Sequence, residues 1–431
     1  MVLRTDNRVL ALAFARMADS LGNSFLIIVL PLYIASGEIS LVGLDGFSTE
    51  LLIGVVLSLF GLLNSSLQPF SGRLSDRTGA RKRYILAGLV VLAVGSAIYP
   101  FVTSYWAVLG ARAMQGIGAA LTVPIVLALV NDYSDDAGRG NDFGIFNTFR
   151  LIGFGFGPIV AGLLITGGVA SETVVSYDLL GATVSGFDAA FAVAVVGALV
   201  AFVLVSVLVD DPEDLEGSAS EDLSIRIRTE DGLDPVFVVG IGTFLMATGI
   251  GIFATLQEVI NAQLNQTPFL FSVQFAAVVI ANVLFQVPIG RASDRYGRRP
   301  FLVWGFVLLI PSLALQGLIP SLAATLPATV AGVGTGSLLM LAFRLLQGIS
   351  VAMVFAPGLA VAGDLAREGE SGTTLSVLTT AFGFGIAAGP LVSGVLVRFG
   401  FAWPFFAVAA LAAVALVLTY SEVEETAPAV T

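Results

Sequence analysis

Twelve stretches of about twenty or more predominantly apolar residues run through this chain, and no other feature constrains its fold as tightly. A helix of ~20 apolar residues crosses the ~30 Å hydrocarbon layer of a bilayer. Hydropathy windows of about 19 residues place the spans near 9–35, 49–71, 83–102, 105–131, 142–166 and 188–209. A second set falls near 235–261, 269–289, 300–320, 335–362, 373–397 and 401–420. The blocks are apolar all round, rich in Leu, Val, Ala, Phe and Gly, without the period-two alternation of half-buried strands. The expected fold is therefore all-α, an integral membrane protein with the lipid bilayer as its main solvent. The first block is too long for the core of a signal peptide and carries no small-residue cleavage site, so it is expected to stay as a span.

Composition supports this. Of 431 residues, 56% are hydrophobic and 12% charged, against about 25% charged in an ordinary soluble domain. Cysteine and histidine are both absent. That removes thiolate and imidazole metal ligands, the usual nucleophile constellations and the usual neutral-pH proton carrier. Proton chemistry, if there is any, falls to carboxylates. The net charge is −11, and Lys82 is the only lysine. An acidic, lysine-poor surface suits a high-salt cytoplasm, and a halophilic source is the expectation.

Asp210–Asp234, dense in Asp, Glu, Ser and Gly, cannot bury a core and is expected to be a solvated linker. The expected organisation is a half at 1–209, the acidic cytoplasmic linker at 210–234, and a half at 235–431 ending in an acidic tail from Ser421 that is expected to be disordered. With both termini inside, fifteen of the twenty basic residues fall in cytoplasmic segments, Arg4, Arg139, Arg226 and Arg367 among them. Arg16, Arg112, Arg150 and Arg344 lie inside spans, and Arg398 alone sits at an outer end. The positive-inside rule thus favours that orientation.

The halves repeat one another. Gly72-Arg-Leu-Ser-Asp76-Arg77-Thr-Gly79 returns 218 residues later as Gly290-Arg-Ala-Ser-Asp294-Arg295-Tyr-Gly297. Arg112-x-x-Gln115-Gly116-Ile returns 232 residues later at Arg344-x-x-Gln347-Gly348-Ile, and Gly153-x-x-x-Gly157-Pro158 returns at Gly385-x-x-x-Gly389-Pro390 with the same offset. Three motifs in one order imply two pseudo-symmetric six-helix bundles.

The segment Gly72–Arg83 resembles the signature between spans two and three of major facilitator superfamily transporters, with Ala80 at one usually basic position. The copy at Gly290–Arg299 is fuller. Motif, span number and linker position together resemble 12-helix drug:proton antiporters. Gly72 and Gly290 are expected to permit close helix approach, and Gly79 and Gly297 tight turns. Asp76 and Asp294 either cap the following helix or pair with nearby arginines. The resemblance implies that these loops, with Arg77 and Arg295, gate the cytoplasmic side; a purely topological role for the arginines is the alternative.

Asp19 lies about ten residues into the first span, ~15 Å deep at 1.5 Å per residue. A carboxylate there is costly unless paired, hydrated or protonated, and marks a pathway by default. Arg16, Asp19 and Asn23 share a helical face. Arg112, with Gln115 on its face, enters from the other side to ~11 Å. This group resembles the arginine-bearing fourth-span signature of proton-linked facilitators, which implies a coupling role for Asp19 and Arg112. A fixed Asp19–Arg16 pair without a transport role is the alternative. Arg150 with Asn147 either lines the cavity or snorkels to the cytoplasm. Arg344 with Gln347 is either functional or structural. Glu258, near the outer end of the seventh span, is either a second acidic site or interfacial. Gly153, Gly157 and Pro158 resemble the fifth-span antiporter signature, whereas generic small-residue packing explains them and Gly385, Gly389 and Pro390 equally.

No Walker loop and no basic domain are present, and neither an enzyme, a metal, a cofactor nor a nucleic-acid partner is expected. The reading is a monomeric alternating-access secondary transporter in the plasma membrane, exporting small amphipathic or cationic molecules against H+ (or Na+). A coupled importer of a sugar or organic acid, and a non-transporting sensor or assembly factor on the same fold, remain the alternatives.

Overall fold

A computed structural model describes residues 6–134, 139–169, 171, 173–179, 181–211, 227–228, 232–365 and 371–426. Arg4, Arg226, Arg367, the Arg139 side chain and all of the proposed linker except 210–211, 227–228 and 232–234 lie outside the described residues.

The first six spans are α1 (Asn7–Ala35), α2 (Thr49–Thr78), α3 (Arg81–Ile98), α4 (Tyr105–Tyr133), α5 (Arg139–Thr166) and α6 (Gly186–Leu208). Then come α7 (Pro235–Thr255), a short α8 (Gln257–Leu264), α9 (Pro268–Tyr296), α10 (Arg298–Ala323), α11 (Thr335–Leu365), α12 (Ser371–Leu396) and α13 (Trp403–Glu422). Twelve of these thirteen are long and apolar enough to cross a membrane. In hydrocarbon every backbone polar group must be satisfied within the segment, which leaves the helix as the form for such blocks.

Helix starts follow ordinary capping chemistry. The side chains of Asp6, Ser104, Ser185 and Asp234 accept from backbone N–H groups of the first turns of α1, α4, α6 and α7. Gly79 (φ +63°) and Gly297 (φ +101°) follow α2 and α9 in conformations that a Cβ would strain.

Two connections carry short hairpins: β1 (Ser176–Leu179) pairs antiparallel with β2 (Ala182–Ser185), and β3 (Thr329–Val330) with β4 (Val333–Gly334). Both turns use residues at positive φ, Gly181 in one, Ala331 and Gly332 in the other. Two expectations change, in the seventh span and in the tail. The seventh span breaks at Leu256, so Glu258 sits on the separate α8 and is exposed. The tail is not free of structure through Thr426: Leu233 N–H donates to Glu422 Oε2 at 3.1 Å, and Arg298 N–H to Glu425 Oε1 at 2.8 Å.

The residues form two compact units, Met1–Gly46 with Leu59–Glu221 and Thr267–Ser272, and Phe47–Ser58 with Asp222–Gln266 and Val273–Thr431. In the first, α1 packs on α5 and α6, and α3 on α4 and α6. Gly153 and Gly157 let this happen: a Cβ on Gly153 would strike the Met17 carbonyl, and one on Gly157 would lie 2.8 Å from the Leu21 carbonyl oxygen. In the second, α7 packs on α12 and α13, and α10 on α11 and α13. There a Cβ on Gly385 would strike the Phe244 carbonyl, and one on Gly389 would lie 2.6 Å from two backbone carbons of Gly251. Pro158 and Pro390 lie inside α5 and α12 without ending them.

Candidate functional site

In the first unit the polar residues of the apolar spans gather around α1 and α4. Arg16 Nη1 donates to Asp19 Oδ2, an ion pair three residues apart on α1. Their side chains are 16% and 11% exposed, so this pair is largely desolvated. Arg112 does not bond Asp19. Its Nη1 donates to Gln115 Oε1 at 3.0 Å, and its guanidinium lies 4.3 Å from the centre of the Phe60 ring. Tyr99 Oη–H donates to the same Gln115 oxygen at 3.0 Å, and Gln115 Nε2 donates to Ser96 Oγ at 2.9 Å. Gly116 permits close approach here, since a Cβ would sit 2.9 Å from the Phe60 carbonyl oxygen. A small cavity separates the two groups, with Asp19 and Asn23 on one wall and Ser96 and Gln115 on another.

Arg150 on α5 donates through Nε and Nη2 to Asn147 Oδ1, at 3.1 and 2.8 Å, and stays half-buried. Arg344 in the second unit is fully buried. It repeats the Arg112 arrangement, with Nη1 donating to Gln347 Oε1 at 2.8 Å and Nε to the Gln274 carbonyl at 3.2 Å. The Phe253 ring centre lies 4.0 Å away, in cation–π range. Gln316 and the Gly249 carbonyl complete that network through Gln347. Among the described residues neither Arg112 nor Arg344 has a carboxylate partner.

The signature segments are helix ends more than loops. Gly72 and Asp76 lie within α2, Gly290 and Asp294 within α9. Gly72 and Gly290 do not mediate close helix approach: a Cβ at either would meet nothing within 4 Å. Both Asp residues pair with arginines instead of capping. Asp76 Oδ1 accepts from Arg81 at 3.3 Å, and Arg81 also pairs with Asp132. Asp294 Oδ1 accepts from Arg298 at 3.4 Å, and Arg298 also pairs with Asp364. Arg77 and Arg295 are exposed, the latter 5.3 Å from the Tyr296 ring centre. Asp132 and Asp364 escaped the sequence reading, although their 232-residue spacing is the one that relates α4 to α11.

Acidic residues that follow α6 and α13 cap the helices after these segments. Lys82 N–H at the start of α3 donates to Asp211 Oδ1 at 2.7 Å. Arg298 and Arg299 N–H at the start of α10 donate to Glu425, at 2.8 and 3.2 Å. The residues before both helices, Ala80 and Gly297, offer no side-chain cap of their own.

The family model described as Major Facilitator Superfamily matches residues 12–232 and 239–430. This chain belongs to the major facilitator superfamily. It is thus a multi-pass membrane protein of a transporter family, and the family points away from an enzyme. The quinolone resistance protein NorA of Staphylococcus aureus (strain MRSA252) is 23% identical over 398 residues, covering 91% of this chain and 90% of NorA. An uncharacterized MFS-type transporter of Methanocaldococcus jannaschii is 25% identical over 191 residues, 44% of this chain and 46% of that protein. Among solved structures, a bacterial homolog of the human lysosomal transporter Spinster superposes with a TM-score of 0.74 at 14% identity, covering 96% and 95% of the two chains. The D-xylose–proton symporter superposes at 0.71 with 15% identity, covering 97% and 98%. These structural likenesses establish the major facilitator fold and no substrate.

Proposed function

We propose that this facilitator is an alternating-access antiporter that exports small amphipathic or cationic compounds and takes up protons in exchange. The observation that carries the reading is Asp19, a carboxylate held within the first bundle beside a cavity and paired, among the described residues, with Arg16 alone. A group so placed changes its local charge from zero to +1 on protonation, and that change is large where the surroundings are poorly hydrated. Similarity to NorA over nine-tenths of both chains supports export of drug-like molecules. The proposal places the protein in the plasma membrane as a monomer with both termini cytoplasmic, in a cell of high internal salt. Sodium is the second candidate for coupling.

The test is transport in proteoliposomes across a panel of cationic dyes and fluoroquinolones, with a pH gradient imposed. Asp19→Asn is expected to insert normally but to lose gradient-driven dye movement. Dye movement that survives this substitution with unchanged dependence on the gradient refutes the assignment. A second reading, import of an organic acid, is favoured by Arg112 and Arg344, two buried guanidiniums with no carboxylate partner among the described residues. Uptake of a carboxylate, lost on Arg112→Gln, would select it.

A further inference from the structure

The coupling proposal leaves a gap between Asp19 and Arg112, which belong to separate hydrogen-bond groups. The cavity between them has a volume of about 20 Å³. That exceeds the ~10–15 Å³ needed for one water and falls short of a second. Gly22 on α1 and Ala194 and Ala198 on α6 line the space with small residues, and Gly22 also packs closely on α6, where a Cβ would lie 3.2 Å from Ala194 Cα. Asp19, Asn23, Ser96 and Gln115 supply its polar wall.

The hydrogen-bond inventory shows what is unused. Arg16 takes Asp19 Oδ2 and leaves Oδ1 without a donor among the described residues. Asn23 has no partner there either. Ser96 Oγ accepts from Gln115 Nε2, so its own hydroxyl proton is still to be donated. Gln115 Oε1 is fully committed, accepting from Tyr99 and Arg112, while Nε2 gives one of its two hydrogens to Ser96. A buried water usually makes about three hydrogen bonds to groups of this kind.

We propose that a single water occupies this cavity and joins Asp19 to the Ser96–Gln115–Arg112 group. The inference rests on the coupling role assigned to Asp19. With Asp19 ionised, the water donates to Oδ1 and accepts from the Ser96 hydroxyl or from Asn23 Nδ2. With Asp19 protonated, the carboxyl O–H donates to the water, which turns and donates to Ser96 Oγ. No bond beyond the carboxyl O–H forms or breaks, and the turn of one water reports the charge of α1 to α4. The other ionisable groups of this region are Arg16 on its own helix, Arg150 on α5, which lies within electrostatic reach of Arg16, and Arg112 and Tyr99, both bonded to Gln115 on the cavity wall. From α6 the wall receives only alanines.

Infrared difference spectroscopy of the full chain in proteoliposomes tests this, reading the protonated-carboxyl C=O band that Asp19→Asn removes. Ala198→Val fills the cavity. Ala201→Val is the packing control, on the same helix, equally buried and outside the cavity wall. In Ala198→Val the Asp19 band should move to higher wavenumber, as a carboxyl that loses a hydrogen-bond partner does, and its exchange in D2O should slow. Ala201→Val should leave both unchanged. An Asp19 band that keeps its position and exchange rate in Ala198→Val overturns the water, as does an equal change in both variants. The band reads Asp19 directly, so gradient-dependent transport that survives Asp19→Asn sinks the coupling assignment without deciding this test.

Discussion

Glu425 offers a sharp quantitative test, because the tail was expected to hang free and instead caps a helix. Gly297 precedes α10 without a capping side chain, and Pro300 has no N–H, so Arg298 and Arg299 carry the first-turn donors that need a partner. Both find the Glu425 carboxylate, at 2.8 and 3.2 Å. Replacing a capping side chain by alanine costs about 0.5–2 kcal/mol, and an anion at a helix N-terminus contributes ~0.3–1 kcal/mol of attraction to the dipole. Glu425 is exposed, which puts the sum for Glu425→Ala near the low end, about 1 kcal/mol. That corresponds to roughly a fivefold rise in the opening constant of the first turn of α10.

Hydrogen–deuterium exchange of the purified protein measures it at the Arg298 and Arg299 amides. Glu425→Ala should speed exchange there about fivefold and leave the middle of α10 unchanged. Glu425→Gln keeps an acceptor oxygen but loses the charge, so its effect should be smaller. At ~1 M salt, where the screening length is ~3 Å, Glu425→Gln should approach wild type while Glu425→Ala does not. Unchanged exchange at both amides in Glu425→Ala would refute the capping argument outright.

Glycines give two opposed expectations. Gly389→Val should lower the melting temperature markedly, since its Cβ would lie 2.6 Å from Gly251 backbone carbons that cannot yield locally, and overpacking costs about 1–3 kcal/mol or more. Gly72→Ala should raise stability by about 0.5–1 kcal/mol, because the helix has open space at that position; a loss as large as that of Gly389→Val would contradict the geometry. Asp6 caps α1 and bonds Arg8, and that hydrogen bond holds its carboxyl below the ordinary 3.8. A depressed carboxylate contributes stability that is present above its unfolded value and is lost as pH falls through the folded one. Asp6→Ala should therefore fray the first turn by about 1 kcal/mol at neutral pH and match wild type in strong acid, read by amide exchange near Arg8.

The spans were legible because hydrocarbon thickness acts on every block alike. The repeated motifs were legible because duplication preserved their spacing. Gly153, Gly157, Gly385 and Gly389 sit at backbone contacts, as their four-residue spacing suggested. What escaped was set by contacts distant in sequence. Hydropathy averages over a window, so the first residues of α8, through Asn261, merged with the span before them although the helix breaks at Leu256. Gly72 and Gly290 looked like packing glycines, yet nothing approaches them, because spacing reports a face and not what covers it. Ser96, Tyr99 and Gln316 were lost among apolar neighbours, although a polar group in hydrocarbon must find a partner and all three bind the very glutamines that the repeat singles out.

The duplication also shows where the halves part. Gly153 abuts Met17 and Gly385 abuts Phe244; Gly157 abuts Ser24 and Gly389 abuts Gly251. One register satisfies both pairs, and it sets Arg16 against Thr243, Asp19 against Met246 and Asn23 against Ile250. The arginine–glutamine group persists in both bundles, while the ionisable pair beside it exists only in the first. Among the described residues Arg344 has no carboxylate partner; the Phe253 ring, Gln347 Oε1 and the Gln274 carbonyl are what face its charge. If one ancestral half carried both features, the second kept the part that packs and gave up the part that changes charge. Thr243 and Met246, both fully buried and uncharged, stand where the first repeat has Arg16 and Asp19, so under the proposed coupling the protonation of α1 has no counterpart at these positions of α7.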